Sequence, residues 1–248
     1  MVKAASNNFY SLIYHKLTNM SIGDAQKNKN SVKVYVDFDG TICKSDIINF
    51  LLDKYADPVW LQLDKEYIEE KISSPECLTK QMALLKKLPN EKILESAKMV
   101  GIDETFKDFC RFCENKNIDI EIVSDGLDIY INYLLNANDI NVKKVSSNIY
   151  KGHGQIEFSY NEKLCERNCG NCKKFHLDPK SFCIYIGDGY SDRCAVENSD
   201  MIFAKNSLAK FLDKEKKEYH PFKSFSDIVV VLSKFLSEKN KLLKHLKK

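Results

Sequence analysis

Short apolar runs of β-rich composition recur along the chain, separated by segments in which apolar residues return every three or four positions. VKVYVDF (32–38), IDIEIVS (118–124), KKVSSNIY (143–150), SFCIYIGD (181–188) and DMIFA (200–204) read as strands. The helical patterns between most of them predict βαβ units. The expected fold class is α/β, a Rossmann-like, doubly wound, largely parallel sheet with a small helical insert.

The insert follows from a spacing. About 75 residues separate the first two strands, far more than a simple crossover needs. Four helices are expected there. Ser45 can cap DIINFLLDKYA, Pro58 can open VWLQLDKEYIEEKI, Ser74 with Pro75 can open ECLTKQMALLKKL, and Asp103 can cap ETFKDFCRFCENK. The last should return to the sheet. The predicted division is an N-terminal extension (1–30), a core (31–45 and 115–248) and a helical cap (46–114) placed over the end of the first strand. Residues 150–174, YKGHGQIEFSYNEKLCERNCGNCKK, carry little helical period and predict a short hairpin followed by a loop.

Composition narrows the class. Hydrophobic residues make up 44% and charged residues 29% of the 248, and no apolar run approaches the roughly 18 residues of a membrane span. A soluble globular protein is expected. The net charge of +3 argues for no polyanionic partner, although Lys239, Lys241, Lys244, Lys247 and Lys248 gather at the C-terminal end, where they read as the solvated face of a last helix. Neither a nucleic-acid nor a membrane partner is predicted. Nine cysteines at no secreted-domain spacing favour a reducing, cytoplasmic compartment. In the acid-free first 23 residues, Phe9, Leu12, Ile13 and Leu17 share a helical face, which reads as a docked amphipathic helix or as an organelle-targeting segment.

Candidate chemistry sits at the strand ends, where doubly wound sheets bind ligands. DFDGT follows the first strand, SDG the second, and GDGYSD the run beginning at residue 181. Asp37, Asp39, Asp188 and Asp192 should therefore converge on one crevice beside Ser124. Four carboxylates repel one another when desolvated, so a cation is required. Hard oxygen donors without histidine or thiol favour Mg²⁺, which takes substrate phosphate oxygens into its shell. Gly40, Gly126, Gly187 and Gly189 allow the backbone to turn N–H groups toward an anion. Metal, hydroxyl and amide donors together point to a phosphate ligand.

This order of motifs, DFDGT, VSDG, a lysine and GDGYSD, resembles the haloacid dehalogenase superfamily of aspartate-nucleophile phosphatases, and the helical segment after the first motif is similar to that family's first type of cap. The resemblance implies that Asp37 attacks phosphorus, that Asp39 protonates the leaving oxygen and then activates water, and that Ser124 holds the phosphoryl group. It implies Mg²⁺ bound by Asp37, the main-chain oxygen of Asp39 and Asp188, with Asp192 beside them. Thr41, Asp46, Asp125 and Gly126 are the further expected contacts of substrate or phosphate. Lys163, Lys173, Lys174 and Lys180 compete for the lysine, and CGNCKK is similar to a cysteine-rich stretch in phosphatases of the methionine-salvage type, which selects Lys173.

The implied activity is Mg²⁺-dependent hydrolysis of a small phosphorylated metabolite, the methionine-salvage keto-enol phosphate among the choices, by a monomer or homodimer. Phosphoserine, phosphocholine or pyridoxal phosphate are alternative substrates. A non-catalytic phosphate-binding module and a phosphotransferase are the alternative classes. Tyr190 and Arg193, flanking the last motif, are candidate contacts or simply a helix start. Cys165, Cys169 and Cys172 with His176 have a spacing compatible with zinc, with packed reduced thiols or with a redox pair, and Cys110 and Cys113 form a second CxxC within a helical pattern.

Overall fold

The computed structural model describes residues 31–160 and 165–246. The readings of the first 30 residues, and Lys163, Lys247 and Lys248, lie outside them.

Seven strands form one sheet. They are β1 (Val32–Val36), β2 (Asp119–Leu127), β3 (Lys144–Gly152), β4 (Gln155–Glu157), β5 (Phe182–Gly187), β6 (Met201–Ala204) and β7 (His220–Pro221), in the order β4-β3-β2-β1-β5-β6-β7. All neighbours are parallel except β3 and β4, which form the expected hairpin. The five strands expected from sequence are all present. β7, only two residues long, has no apolar run to announce it.

β1 lies at the centre, with Val36 opposite Ile122 of β2 and Ile186 of β5. Its side chains alternate between two buried faces, as parallel sheets covered on both sides require. Val34, Val36, Ile184 and Ile186 point to one core, and Tyr35, Tyr185 and Ile202 to the other. Because β2 and β5 are reached from β1 in opposite directions, the sheet has its topological switch point at the carboxyl end of β1. A crevice opens there by construction.

Helices α1 (Ile47–Tyr55), α2 (Trp60–Ile68), α3 (Ser74–Leu84) and α4 (Asn90–Val100) follow β1. The chain leaves and re-enters the sheet layer through two paired segments. Cys43 bridges Ile102, Lys44 N–H donates to the Gly101 carbonyl at 3.3 Å, and Asp103 N–H donates to that of Ile42 at 2.8 Å. Helix α5 (Phe106–Asn115) lies beyond this closure and packs on the sheet, where Phe106 and Phe109 meet Phe225 of the C-terminal helix α9 (Phe225–Leu246) with ring centroids 4.7 and 5.2 Å apart. It therefore sits with the core, although its sequence falls before residue 115. The remaining helices are α6 (Asp128–Ala137), the short α7 (Arg193–Val196) and α8 (Asn206–Lys214).

Three helix starts differ from expectation by one or two residues. Asp46, not Ser45, caps α1, accepting from the Asn49 N–H at 2.8 Å. Ser73, not Ser74, caps α3 through the Glu76 N–H, which leaves the Ser74 hydroxyl free to reach the core. Thr105 precedes α5, while Asp103 accepts from its N–H and hydroxyl at 2.8 and 2.6 Å. In each case a neighbouring polar residue offers the same capping chemistry. Helix α4 was not anticipated, although Ile93, Ala97 and Val100 keep one face and Gly101, at φ +67°, ends it.

At the amino ends of the strands, Asp178 secures the entry to β5. Its carboxylate accepts from Lys33 Nζ at 2.8 Å, Ser181 Oγ at 2.8 Å and the Lys180 N–H at 3.0 Å. The Lys33 bond, with the Lys180 N–H and the Ser181 hydroxyl, holds this carboxyl below its ordinary range. A depressed folded-state value stabilises the fold fully above the unfolded value of about 3.9, and that contribution is lost as pH falls from there through the folded-state value. Urea unfolding should therefore show the intact protein more stable than Asp178→Asn at pH 7, with the gap closing below about pH 4. A gap unchanged in acid would contradict this.

Candidate active site

Three loops leave the carboxyl ends of β1, β2 and β5 and meet at the switch point. In the first, Asp37 is 4% exposed and its N–H donates to the Ile186 carbonyl at 3.0 Å, so it still belongs to the sheet. Gly40 then turns the chain at φ +71°, and a Cβ at that position would strike the Asp188 carboxylate. In the second, Val123 pairs with Ser146 and Leu127 with Asn148. Four steps along β2 thus face two along β3, so Ser124, Asp125 and Gly126 stand opposite Ser147 alone, and this segment, two residues in surplus, bulges toward the cleft. The third runs from Gly187 through Asp192.

Lys173 joins these loops from below. It sits at the start of a short turn, Lys173–His176, and is 1% exposed. Its Nζ donates to Asp37 Oδ1 at 2.7 Å, to Asp192 Oδ1 at 2.6 Å and to Ser191 Oγ at 3.0 Å. Burial opposes the lysine charge, but Asp192 and Asp37 outweigh it and hold its pKa well above the ordinary value. Of its competitors, Lys174 lies over the Phe175 ring at 5.0 Å and Lys180 is exposed.

Asp192 is fully buried and fully engaged. Tyr185 Oη joins Lys173 on its Oδ1 at 2.6 Å, while the N–H groups of Asp188 and Gly189 reach its Oδ2 at 2.9 and 2.8 Å. Gly187 is needed beneath it, since a Cβ there would meet Asp192 Oδ2. Asp188 itself accepts from Thr41 Oγ1 and Asn206 Nδ2, each at 3.1 Å. Carboxylate oxygens of Asp37, Asp188 and Asp192 all lie within 4.8 Å of one another. Burial foremost pushes Asp37 and Asp188 up, and the neighbouring acids add to it. This is a hard, oxygen-only donor set that a divalent cation of the Mg²⁺ type fits.

Asp39 faces a different environment two residues on. Its Oδ2 accepts from Tyr130 Oη at 2.7 Å and its Oδ1 from the Ile47 N–H at 3.0 Å. Burial, and then the charge of Asp46, push its carboxyl up to about 8, while the two donors pull the other way. Asp46 is raised to about 6, again chiefly by burial. Asp37 and Asp39 thus have different partners: the first is bonded to the Lys173 ammonium, the second to a phenol and a backbone N–H. Gly126 permits this, because a Cβ there would collide with Tyr130 Oη and Asp39 Oδ2.

The other expected contacts are near by, in varied states. Ser124 is fully buried and its Oγ accepts from the Gly126 N–H at 2.9 Å. The Asp125 carboxylate turns to Asn171 N–H at 3.0 Å and Ser74 Oγ at 3.1 Å, so it ties the β2 loop to the lysine loop and to α3. Tyr190 donates to Glu70 at 2.7 Å, and the Arg193 guanidinium stacks on its ring at 3.2 Å. Tyr130, Tyr185, Asn171 and Asn206 escaped the sequence reading. Each is an ordinary strand, loop or helix residue by local pattern, and for Tyr130 and Asn171 the partners lie far away in sequence.

Above these groups is a cavity of about 480 Å³, walled on one side by Asp37, Asp39, Ser124 and Asp188 and on the other by helices α1 to α3. The helical side contributes Ile48, Tyr67, Ile68, Cys77 and Leu78, with Asn49, Asp64, Ser74 and Gln81 as polar points.

The comparisons with known proteins agree with this geometry. The family model of haloacid dehalogenase-like hydrolases matches residues 34–197. A 2-hydroxy-3-keto-5-methylthiopentenyl-1-phosphate phosphatase of Bacillus thuringiensis (strain Al Hakam) is 26% identical over 224 residues, covering 84% of this chain and 99% of its own. The enzyme of the same name from Bacillus mycoides (strain KBAB4) is 26% identical over 218 residues, with the same coverage. Among solved structures, a phospho-aspartyl intermediate analogue of phosphoserine phosphatase superposes with a TM-score of 0.59 at 21% identity, over 78% of this chain and 94% of that one. A substrate-bound phosphoserine phosphatase complex gives 0.61 at 19% identity, over 81% and 98%. With two thirds of its length matched and its strand-end acids gathered around one buried lysine, the chain belongs to the haloacid dehalogenase-like hydrolase family, and it is a phosphatase of that family.

Proposed function

We propose that the cavity binds a small phosphomonoester and that the chain hydrolyses it in two steps through Asp37 and Asp39. The observation that carries this is the split between the two carboxyls: Lys173 holds Asp37 Oδ1 at 2.7 Å, whereas Asp39 lies against Tyr130 and the Ile47 N–H with its pKa near neutrality. One carboxyl bonded to an ammonium and a second bonded to a phenol and an amide suit a nucleophile and an acid-base.

In the first step an Asp37 carboxylate oxygen attacks phosphorus, the ester P–O bond breaks, and the Asp39 proton goes to the leaving oxygen. In the second, ionised Asp39 takes a proton from water, whose oxygen attacks phosphorus and releases inorganic phosphate and Asp37. Lys173 offsets charge on the nucleophile and on the phosphoryl oxygens, held in place by Asp192 and Ser191. The Ser124 hydroxyl and N–H groups of the β1 and β2 loops would donate to the remaining phosphoryl oxygens. Asp37, Asp188 and the Asp39 main-chain oxygen would hold Mg²⁺, with Asp192 behind them. When bound, the ion neutralises charge as the phosphoryl group moves. Helices α1 to α4 would serve as the cap that shuts water out and selects the leaving group.

The preferred substrate is the methylthio keto-enol phosphate that the Bacillus relatives' name describes. Ile48, Tyr67, Ile68, Cys77 and Leu78 give the helical wall an apolar patch beside Asp46 and Asp64, and among its described residues Lys44, exposed and 3.5 Å from Glu104, is the only cation. A thioether tail suits the apolar patch, and among those residues no cation other than Lys44 is placed for the carboxylate of phosphoserine.

Phosphate release should be Mg²⁺-dependent, abolished by chelator, and faster with the methylthio keto-enol phosphate than with phosphoserine, phosphocholine or pyridoxal phosphate. Asp37→Asn should lower turnover by on the order of 10⁴-fold with an unchanged circular dichroism spectrum. Retained activity in that variant would exclude Asp37 as the nucleophile. A pH profile probes Asp39. The Tyr130 hydroxyl stabilises its ionised form, so Tyr130→Phe should raise the Asp39 pKa and carry the alkaline limb of kcat to higher pH. A limb displaced downward would contradict the assignment of the proton to Asp39.

A further inference from the structure

Outside the cavity, one cluster of reactive side chains is unaccounted for by the hydrolytic site. Cys165, Cys169, Cys172 and Cys194 are all buried, and among the described residues they form an apolar cluster with no aliphatic or aromatic member. Of the other buried cysteines, Cys43 and Cys113 lie within the main core and Cys183 within the core on the opposite face of the sheet, each among aliphatic and aromatic residues, and Cys77 lies on α3. A packing role would be served by those residue types. Four thiols gathered together are not.

We propose that these four cysteines bind one zinc ion in tetrahedral coordination, at a site separate from the carboxylate cluster. All four sulfurs lie within 4.8 Å of one another, with Cys165 Sγ to Cys169 Sγ at 3.4 Å and Cys169 Sγ to Cys194 Sγ at 3.8 Å. A tetrahedron with Zn–S bonds of about 2.3 Å has edges of about 3.8 Å, whereas a disulfide would bring two sulfurs to about 2.05 Å. The set differs from the one the sequence spacing offers. His176 is turned away, its Nε2 2.7 Å from Asn171 Oδ1 and its Nδ1 3.4 Å from Glu121. Cys194, 22 residues beyond Cys172 at the start of α7, takes the fourth position.

The surroundings fit a tetrathiolate. The loop that carries three of the ligands turns on Asn168 at φ +49°, its N–H donating to the Cys165 carbonyl at 2.9 Å, which folds the CxxxC segment back on itself. Binding releases the thiol protons to solvent as each Zn–S bond forms, leaving a centre of net charge −2. The Arg167 guanidinium lies 3.7 Å from Cys194 Sγ, where it offsets that charge. Cys172 directly precedes Lys173, and Cys194 follows Asp192 by two residues. The ion would therefore clamp together the two segments whose side chains form the 2.6 Å Lys173–Asp192 contact. This inference stands apart from the proposed reaction.

Full-length protein purified under reducing conditions, dialysed and supplied with zinc should hold about one zinc per chain by elemental analysis, with Mg²⁺ unable to displace it. Cobalt in its place should give the visible bands of a tetrahedral tetrathiolate. Cys194→Ser should lose both signals, and Cys110→Ser, a cysteine elsewhere, should keep them. Should Cys194→Ser not fold, the cobalt spectrum of the intact chain and a lowered melting temperature after zinc chelation carry the test. Sub-stoichiometric zinc and no cobalt spectrum in the folded protein would overturn the site. So would an unreduced mass lower by about two or four hydrogens, the signature of disulfides.

Discussion

A lysine ammonium with 1% exposure, held between two carboxylates, is the contact on which the rest of the structure turns. Each of these charges would cost several kcal/mol if buried alone, and removing one partner of such a set is far more damaging than the set is worth. The fold offsets this cost with hydrogen bonds: Lys173 Nζ donates to Asp37, Asp192 and Ser191, and Asp192 takes two backbone N–H groups and a tyrosine as well. Glycine at 40, 126 and 187 is demanded by the same crowding, since each lies where a Cβ would run into one of the acids. Topology and electrostatics thus meet at one place: the switch point that opens the crevice is also where four carboxylates gather, two of them bonded to one cation.

That arrangement leaves Asp39 outside the ion pair. Its partners, Tyr130 from α6 and the first N–H of α1, belong to the sheet layer and to the helical insert respectively. The insert therefore contributes to the site directly and does more than cover it. Ser74 of α3 reaches Asp125, and Glu70 reaches Tyr190, so the helices above the cavity are tied to two of the three strand-end loops. No helix among the described residues is long and apolar enough to cross a membrane.

The parts of this account that could be read in the sequence are those written in local pattern. Alternating and continuous apolar runs located five strands, and DFDGT, SDG and GDGYSD stood out because acids and glycine directly after an apolar run are costly without a purpose. Lys173 carries no local pattern at all. It was found through the likeness of CGNCKK to relatives, and its burial between Asp37 and Asp192 depends on contacts 136 and 19 residues away. Tyr130 and Cys194 were illegible for the same reason: a helix residue 91 positions from Asp39 and a cysteine outside the loop of the other three acquire their partners only when the sheet assembles. Helix α4 is a different kind of miss, since Pro89 and Gly101 bracket it plainly, and only the competing length of the insert obscured it.

The central claim is that Asp37 becomes phosphorylated during turnover, with Lys173 holding its carboxylate for the attack. The most direct test is to quench the enzyme during steady-state hydrolysis, reduce the acyl phosphate with borohydride and map the modified residue by mass spectrometry. The account predicts that Asp37 alone is converted, to the reduced homoserine side chain. Modification of Asp39 or Asp188 instead, or of no carboxylate while phosphate is still released, would contradict it.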